Sequence, residues 1–254
     1  MIDPQLTPAL DVAIAAAREA GALLRSHFGT TPEVNEFHDH DIKLELDVRT
    51  QALITDRLLA AFPTHALYGE EGIAGNPSSE WQWIVDPLDG TVNYFYGLPH
   101  FCVSIALRRG GDIQLGVIYD PMRDELWSVA KGGTATLNGK PIAVSARTEL
   151  KDAVLSIGFA KSKTTIAAGL PLVEKFVGRV RKIRLMGSAA LDLAYVACGR
   201  LDAYIESSVS LWDVAAGKLL VEAAGGRYES APREDHPDKI SVRASSGRLD
   251  LDLP

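Results

Sequence analysis

Apolar positions change their spacing several times along the 254-residue chain. Near the start, Leu10, Ile14, Ala17, Leu24 and Phe28 recur at helical intervals, which predicts a helix with one apolar face. Thr7-Pro8 supplies its cap and a proline at the first helical position. From Gly29 to His40 the sequence GTTPEVNEFHDH is polar and irregular, and no element is predicted there. A second helix is predicted from near Asp47, through Leu53 and Leu58, to Phe62-Pro63. The segments HALYG and WQWIV that follow are strand-like. In FCVSIALRRGGDIQLGVIYD two apolar runs flank Gly110-Gly111, a hairpin signal. Two further turn signals, Gly132-Gly133 and Asn138-Gly139, interrupt DELWSVAKGGTATLNGKPI. This middle third reads as an antiparallel sheet.

After about Arg147 the texture becomes alternating. AVLSIGFA is a predicted strand, followed by a helical stretch to about Val180 and a strand in RKIRLMG. AALDLAYVACG is helical, LDAYIES a strand, and WDVAAGKLLVEAAGG a helix closed by Gly225-Gly226. The fold class expected is α/β with an α+β first half. Residues 1–146 form an N-terminal half around the antiparallel sheet. Residues 147–254 form a C-terminal α/β half packed against it. There is no internal repeat or low-complexity linker.

Composition narrows the function classes. Hydrophobic residues make up 46% and charged residues 23%, ordinary values for a chain with a sizeable core. The net charge of −7 repels nucleic acid, so no direct nucleic-acid partner is expected. The only concentration of basic residues, Arg179, Arg181, Lys182 and Arg184, reads as a solvated edge. The two cysteines, Cys102 and Cys198, lie in apolar stretches and are expected as free thiols in a reducing compartment. The first residues show no signal pattern, and no apolar run reaches membrane-spanning length. A cytoplasmic protein without a membrane partner is therefore expected.

Candidate chemistry concentrates in WIVDPLDGTVNYFYGLP, Trp83 to Pro99. An apolar run ends in Asp86, and Asp89 follows three residues later. Two carboxylates this close repel unless a proton or a cation lies between them. Other carboxylates also mark element ends: Asp47 before a helix, Glu70-Glu71 after HALYG, and Asp213 after SLW. Alone, Asp47 or Asp213 is more simply a helix cap. The run Asp86-Pro87-Leu88-Asp89-Gly90-Thr91 contains more than a turn needs. Pro87 fixes one φ, and a bend there would aim Asp86, the Leu88 carbonyl and Asp89 at a common point. An all-oxygen set of this kind suits Mg²⁺, Mn²⁺ or Ca²⁺ rather than zinc, and no calcium-loop spacing is present. The N–H groups of Gly90 and Thr91 could face an anion. Cations and an anion cradle within a few residues point to phosphate.

GEEG at 69–72, DPLDGTVNY at 86–94 and WDVAAGKLLVEAAGG at 212–226 resemble the motifs of the inositol monophosphatase family, Mg²⁺-dependent phosphatases of the lithium-sensitive type. The likeness in order and spacing runs through nearly the whole chain. The resemblance implies an α-β-α-β-α layered sandwich, a homodimer, and phosphate monoester hydrolysis by metal-activated water with two to three Mg²⁺ per site. It also implies one metal on Glu70, Asp86 and the Leu88 carbonyl, and a second on Asp86, Asp89 and Asp213. Gly90 and Thr91 match its phosphate-binding positions. Asp47 and Thr91 match the pair that polarises the attacking water, with Glu70 helping to orient it. MGSAA resembles the segment lining the substrate side, which implies Gly187, Ser188 and Ala189 there, and Glu206 matches a glutamate that accepts hydrogen bonds from ring hydroxyls.

The chain departs from the family pattern before Asp47. HDHDIKLELD lacks a threonine-rich approach, and NEFHDH lacks a first-loop lysine that some members carry. The Asn-Tyr after Asp-Gly-Thr and the presence of Glu206 point to a small phosphorylated polyol, inositol 1-phosphate. Fructose 1,6-bisphosphate, histidinol phosphate and 3′-phosphoadenosine 5′-phosphate are alternative substrates. A protein-binding role as a transcription cofactor, known among bacterial relatives, is the alternative of a different class. The spacing D-x-x-D-G-T sets aside the aspartyl-nucleophile phosphatases, which use D-x-D-G-T. Neither a P-loop nor a G-x-S-x-G elbow is present.

Overall fold

Helix α1 (Leu6–His27) presses a face of small residues, Ala9, Ala13, Ala16, Ala17 and Ala20, into the core. The computed structural model from which this follows describes residue 3 and residues 6–38, 41–159, 163–233 and 239–253. The predicted stripe is therefore rotated, with Leu10, Ile14 and Phe28 half-buried on its flank. The cause is close packing. A Cβ on Gly21 would stand 2.5 Å from the Tyr119 ring, so only small side chains fit where the helix meets the sheet. The helix also starts ahead of Thr7-Pro8, with the Leu6 N–H donating to Asp3 O at 2.9 Å.

The stretch expected to be irregular contains β1 (Val34–His38), paired antiparallel with β2 (Asp41–Leu44). Val34, Asn35 and Glu36 are all exposed, so β1 carries no apolar alternation to read. Asp39 and His40 lie outside the described residues. Helix α2 (Glu45–Ala61) ends at Phe62-Pro63 as expected but begins two residues before Asp47. Asp47 occupies its third position and accepts the Leu44 N–H at 2.9 Å, the returning arm of a capping box.

The large sheet comprises β3 (Ala66–Gly69), β4 (Gly72–Gly75), β5 (Trp81–Asp89), β6 (Cys102–Arg109), β7 (Asp112–Asp120), β8 (Glu125–Ala130), β9 (Thr136–Leu137) and β10 (Lys140–Pro141). Its order is β10-β9-β8-β7-β6-β5-β3-β4. The hairpin about Gly110-Gly111 and both later turns form as read. Two features escaped the pattern. Strand β4 is the short GIAG, and β3 pairs parallel with β5 in an otherwise antiparallel sheet. Strand β5 also runs past Val85 to Asp89, with a break in register between the two aspartates. A short helix, α3 (Thr91–Phe95), leads on to β6.

The second half holds β11 (Val154–Ile157), α4 (Lys163–Val177), β12 (Lys182–Arg184), α5 (Ala189–Ala197), β13 (Ala203–Val209), α6 (Leu211–Ala223), β14 (Arg227–Pro232) and β15 (Ile240–Ser245). Strand β11 is shorter than AVLSIGFA, and Ala160 lies outside the described residues. The sheet order is β12-β11-β13-β15-β14. Strand β11 is parallel to both neighbours. The last two strands, for which the alternating pattern gave no expectation, join antiparallel.

Strand alternation assigns the layers. On β6, Val103, Ile105 and Leu107 face α1 and α2, whereas Cys102 and Ala106 face α5 and α6. The opposite side of α5 and α6 packs on Tyr204, Val242 and Ala244 of the second sheet. Phe176 of α4 covers that sheet's outer face over Leu155, Ile157 and Ile205. The result is the α-β-α-β-α sandwich. Among the described residues no helix is long and apolar enough to cross a membrane. Both cysteines are free, Cys102 buried and Cys198 half-buried.

Candidate active site

The register break at the end of β5 turns two carboxylates inward. Asp86 is 1% exposed and Asp89 8%. Asp86 Oδ1 accepts the Leu88 N–H at 3.0 Å, and the Thr91 hydroxyl donates to the Leu88 carbonyl at 3.0 Å. Gly90 follows with φ +100°, and a Cβ there would lie 3.0 Å from the His100 carbonyl, so glycine is required on both counts. Asp89 is held from the other half of the molecule. Its Oδ2 accepts the Ser188 hydroxyl at 2.6 Å and the Ala190 N–H at 2.7 Å. The Cys102 thiol lies 3.8 Å from the same oxygen. Asn93 adds a second tie across the molecule, donating to His100 O at 2.8 Å and Met186 O at 2.9 Å.

Burial raises the Asp86 carboxyl well above its usual range, and the charges of Glu70, Asp89 and Asp213 raise it further. Asp89 is pushed up to about 6, chiefly by burial, with its hydrogen bonds to Ser188 and Ala190 opposing. Among the described residues no three His, Cys, Asp or Glu side chains converge at metal-ligand spacing. The four carboxylates nonetheless share one field, and hard oxygen donors that repel one another match a divalent cation.

These groups open into a cavity of about 480 Å³. Glu70, Asp86, Leu88, Asp89, Gly90 and Thr91 line one end. Gly187, Ser188, Ala189, Glu206 and Asp213 also line the cavity. Asp47 is absent from the wall. It is buried at the start of α2, near enough to raise the Tyr94 phenol, and the Thr91 hydroxyl donates to Leu88. Asp213 sits in the first turn of α6, where its Oδ2 accepts the Ser210 N–H at 2.7 Å. Ser188 caps α5 through the Leu191 N–H at 3.4 Å.

Glu206 reaches the cavity from β13. The Tyr204 hydroxyl donates to its Oε2 at 2.5 Å. A Cβ on Gly158 would lie 1.7 Å from that oxygen, so the carboxylate occupies space that only glycine leaves. Burial pushes Glu206 up to about 8, opposed by Tyr204 and Lys239 and aided by Asp213 and Asp89.

Sequence reasoning missed two charged lining residues. Asp192, 2% exposed, accepts the Ser156 hydroxyl at 2.7 Å. An aspartate inside the apolar run AALDLAYVA was the available signal. Lys239 stands in a polar stretch and gave none.

The sequence profile of the inositol monophosphatase family matches residues 5–250. A "Nus factor SuhB" of Xylella fastidiosa is 40% identical over 251 residues, 95% of this chain and 90% of that protein. A "Nus factor SuhB" of Pseudomonas aeruginosa is 42% identical over 229 residues, 87% and 84% of the two chains. Among solved structures, the Thermotoga maritima IMPase superposes with a TM-score of 0.83 at 34% identity, covering 95% of this chain and 93% of that one. The Bartonella henselae suhB protein superposes with a TM-score of 0.85 at 36% identity, covering 92% and 93%. The relatives correct one expectation. Several are named "Nus factor SuhB", so the expectation of no direct nucleic-acid partner, drawn from net charge alone, does not stand. Total charge describes the far field and says little about a local contact surface. With a profile match over 5–250 and near-complete coverage by its relatives, the chain belongs to the inositol monophosphatase family.

Proposed function

We propose that this protein is a Mg²⁺-dependent phosphate monoesterase whose substrate is a phosphorylated polyol, inositol 1-phosphate. The observation carrying this reading is the union, in one cavity, of the buried aspartates of β5 with Glu206 of the second sheet. The aspartates suit cations and phosphate, and Glu206 suits hydroxyl groups. A further structural neighbour, a Staphylococcus aureus enzyme solved with inositol monophosphate bound, superposes at a TM-score of 0.75 with 26% identity, covering 94% of this chain and 89% of that one.

Glu70, Asp86 and the Leu88 carbonyl would hold one Mg²⁺, and Asp86, Asp89 and Asp213 a second. When bound, Mg²⁺ offsets the carboxylate charge and supplies Lewis acidity to the water and the departing oxygen. The chain's own residues then position the reactants. Gly90 and Thr91 cradle the phosphate. Glu70 and Thr91 orient the attacking water, and the Leu88 carbonyl that accepts the Thr91 hydroxyl keeps a second lone pair for a cation. Asp47 fixes the entry to α2 behind this cluster, through the Leu44 N–H. Ser188 and Ala190 hold Asp89 in a single orientation, and Glu206 receives ring hydroxyls. Purified protein assayed with Mg²⁺ against the four phosphate esters named above tests the reading. The highest kcat/KM is expected on inositol 1-phosphate, and a preference for the nucleotide would overturn the substrate assignment.

The names of the relatives favour a second role, in transcription, alongside catalysis. Co-migration of the protein with RNA polymerase complexes tests it. An Asp89→Asn protein that still co-migrates would show the two roles to be separable.

A further inference from the structure

The cavity lining includes one cation that the mechanism above does not use. Among the described lining residues Lys239 is the only lysine or arginine, beside six carboxylates. Its place is built from several sides. Nζ donates to Ser210 Oγ and stands 5.9 Å from the centroid of the Trp212 ring. Ser210 is buried and hands its N–H to Asp213. An ammonium carries three donors, so the bond to Ser210 leaves two for a ligand. Lys239 is also near enough to Glu206 to act on its charge. Glu206 meanwhile has Oε2 held by Tyr204 against Gly158, which leaves Oε1 as the oxygen it can offer.

We propose that Glu206 and Lys239 form a two-point clip for a vicinal diol on the substrate's alcohol portion. Glu206 accepts a hydrogen bond from one hydroxyl, and Lys239 donates to its neighbour. This rests on the phosphatase reading above and adds Lys239 to it as a specificity-determining residue. A hydroxyl is both donor and acceptor. A carboxylate alone therefore takes any isolated hydroxyl, whereas a fixed acceptor beside a fixed donor selects two adjacent ones. Lys239 enters just ahead of β15 and Glu206 from β13, so the clip spans neighbouring strands.

The test is Lys239→Met, which keeps the apolar stem over Trp212 and removes every donor. Lys239→Gln, which keeps an amide donor, provides a gentler second variant. Both are compared with the wild type, in Mg²⁺, on inositol 1-phosphate, fructose 1,6-bisphosphate and phenyl phosphate. For Lys239→Met, kcat/KM on inositol 1-phosphate should fall about 10- to 100-fold, through KM, as expected for losing a charged hydrogen bond. Phenyl phosphate, which has no hydroxyl, should change by less than about twofold. Lys239→Gln should lie between wild type and Met. Equal losses on inositol 1-phosphate and phenyl phosphate would make Lys239 a prop for Ser210 and Asp213, and would overturn the clip. A loss confined to the bisphosphate would make Lys239 a partner for a second anion, with the same consequence, as would no loss at all. A wild-type protein that hydrolyses none of the three would overturn the phosphatase reading as well.

Discussion

The two ends of the cavity are built on different plans. At the acidic end, Asp86 and Asp89 sit on short side chains, almost wholly buried, and are held by N–H groups and one hydroxyl. Six contiguous residues, Asp86 to Thr91, supply most of it. At the substrate end, Glu206 and Lys239 reach in on long side chains from separate elements, each braced by a side chain that is not itself at the reaction. The acidic end is thus laid out by the local backbone of residues 86–91 and pinned at Asp89 by Ser188 and Ala190, whereas the substrate end rests on packing between distant segments alone. Damage to the first should impair every substrate, and damage to the second should discriminate among them.

The largest effect is expected for Asp89→Asn. It keeps the shape but removes a charge that two elements converge to hold. Activity should fall by at least about 10³-fold on all substrates alike, more than the 10- to 100-fold typical of residues that merely support a metal ligand. Calorimetric titration with Mg²⁺ should show weakened binding, and circular dichroism an unchanged fold. Undiminished Mg²⁺ affinity would dissociate Asp89 from the metal.

The contrast in construction also explains what could be read without coordinates. The acidic end was visible because its residues are neighbours in sequence and unusual together. Glu206 and Gly187–Ala189 came from likeness to a family, since nothing local in YIES or MGSAA marks a pocket. Lys239 was invisible because a lysine in a polar stretch is ordinary until Ser210 and Trp212 are seen around it. The same rule holds for the fold. The 101–120 hairpin lay in one contiguous segment and was legible. The stripe on α1 was misplaced because the close approach of Gly21 to Tyr119 spans almost a hundred residues. The parallel pairing of β3 with β5 likewise depends on which strand lies beside which, a fact of topology rather than of periodicity.

Intermediate effects should fall on the substrate end. Glu206→Gln should lower kcat/KM on inositol 1-phosphate about 10- to 100-fold and leave phenyl phosphate near wild type. Gly158→Ala tests the same end without touching a charge. Its new Cβ takes the position of Glu206 Oε2, so the carboxylate must move, and a selective loss of about tenfold is expected. Uniform losses in either variant would erase the distinction between the two ends. Ser188→Ala crosses between them. It removes a hydrogen bond to Asp89 and the cap of α5 together. We expect about a tenfold loss on all substrates, with a fall in Tm of about 2–4 °C from the lost cap. A selective loss instead would assign Ser188 to the substrate.

The effect that bears least on activity is the pH dependence of stability without Mg²⁺. Asp89 and Glu206 are raised to about 6 and about 8, against 3.8 and 4.5 as reference values. A carboxyl raised by folding keeps its proton in the native state after the unfolded chain has lost it. The native state then binds more protons, and stability falls as pH rises. For Asp89 that fall runs from about pH 4 to 6, and for Glu206 from about 4.5 to 8. Asp86, raised in the same direction, adds to it. In EDTA, thermal melts should therefore show Tm declining between pH 5 and pH 8, with the part above about pH 6 due to Glu206 rather than Asp89. Mg²⁺ offsets the carboxylate charge and should flatten the decline. Asp89→Asn should remove part of the slope below about pH 6, and Glu206→Gln part of it up to about pH 8. Each end of the cavity then has its own pH window. A wild-type Tm that rises steadily from pH 5 to 8 in EDTA would show that neither carboxyl is raised by folding. A Glu206→Gln slope identical to wild type would withdraw the assignment for the substrate end alone.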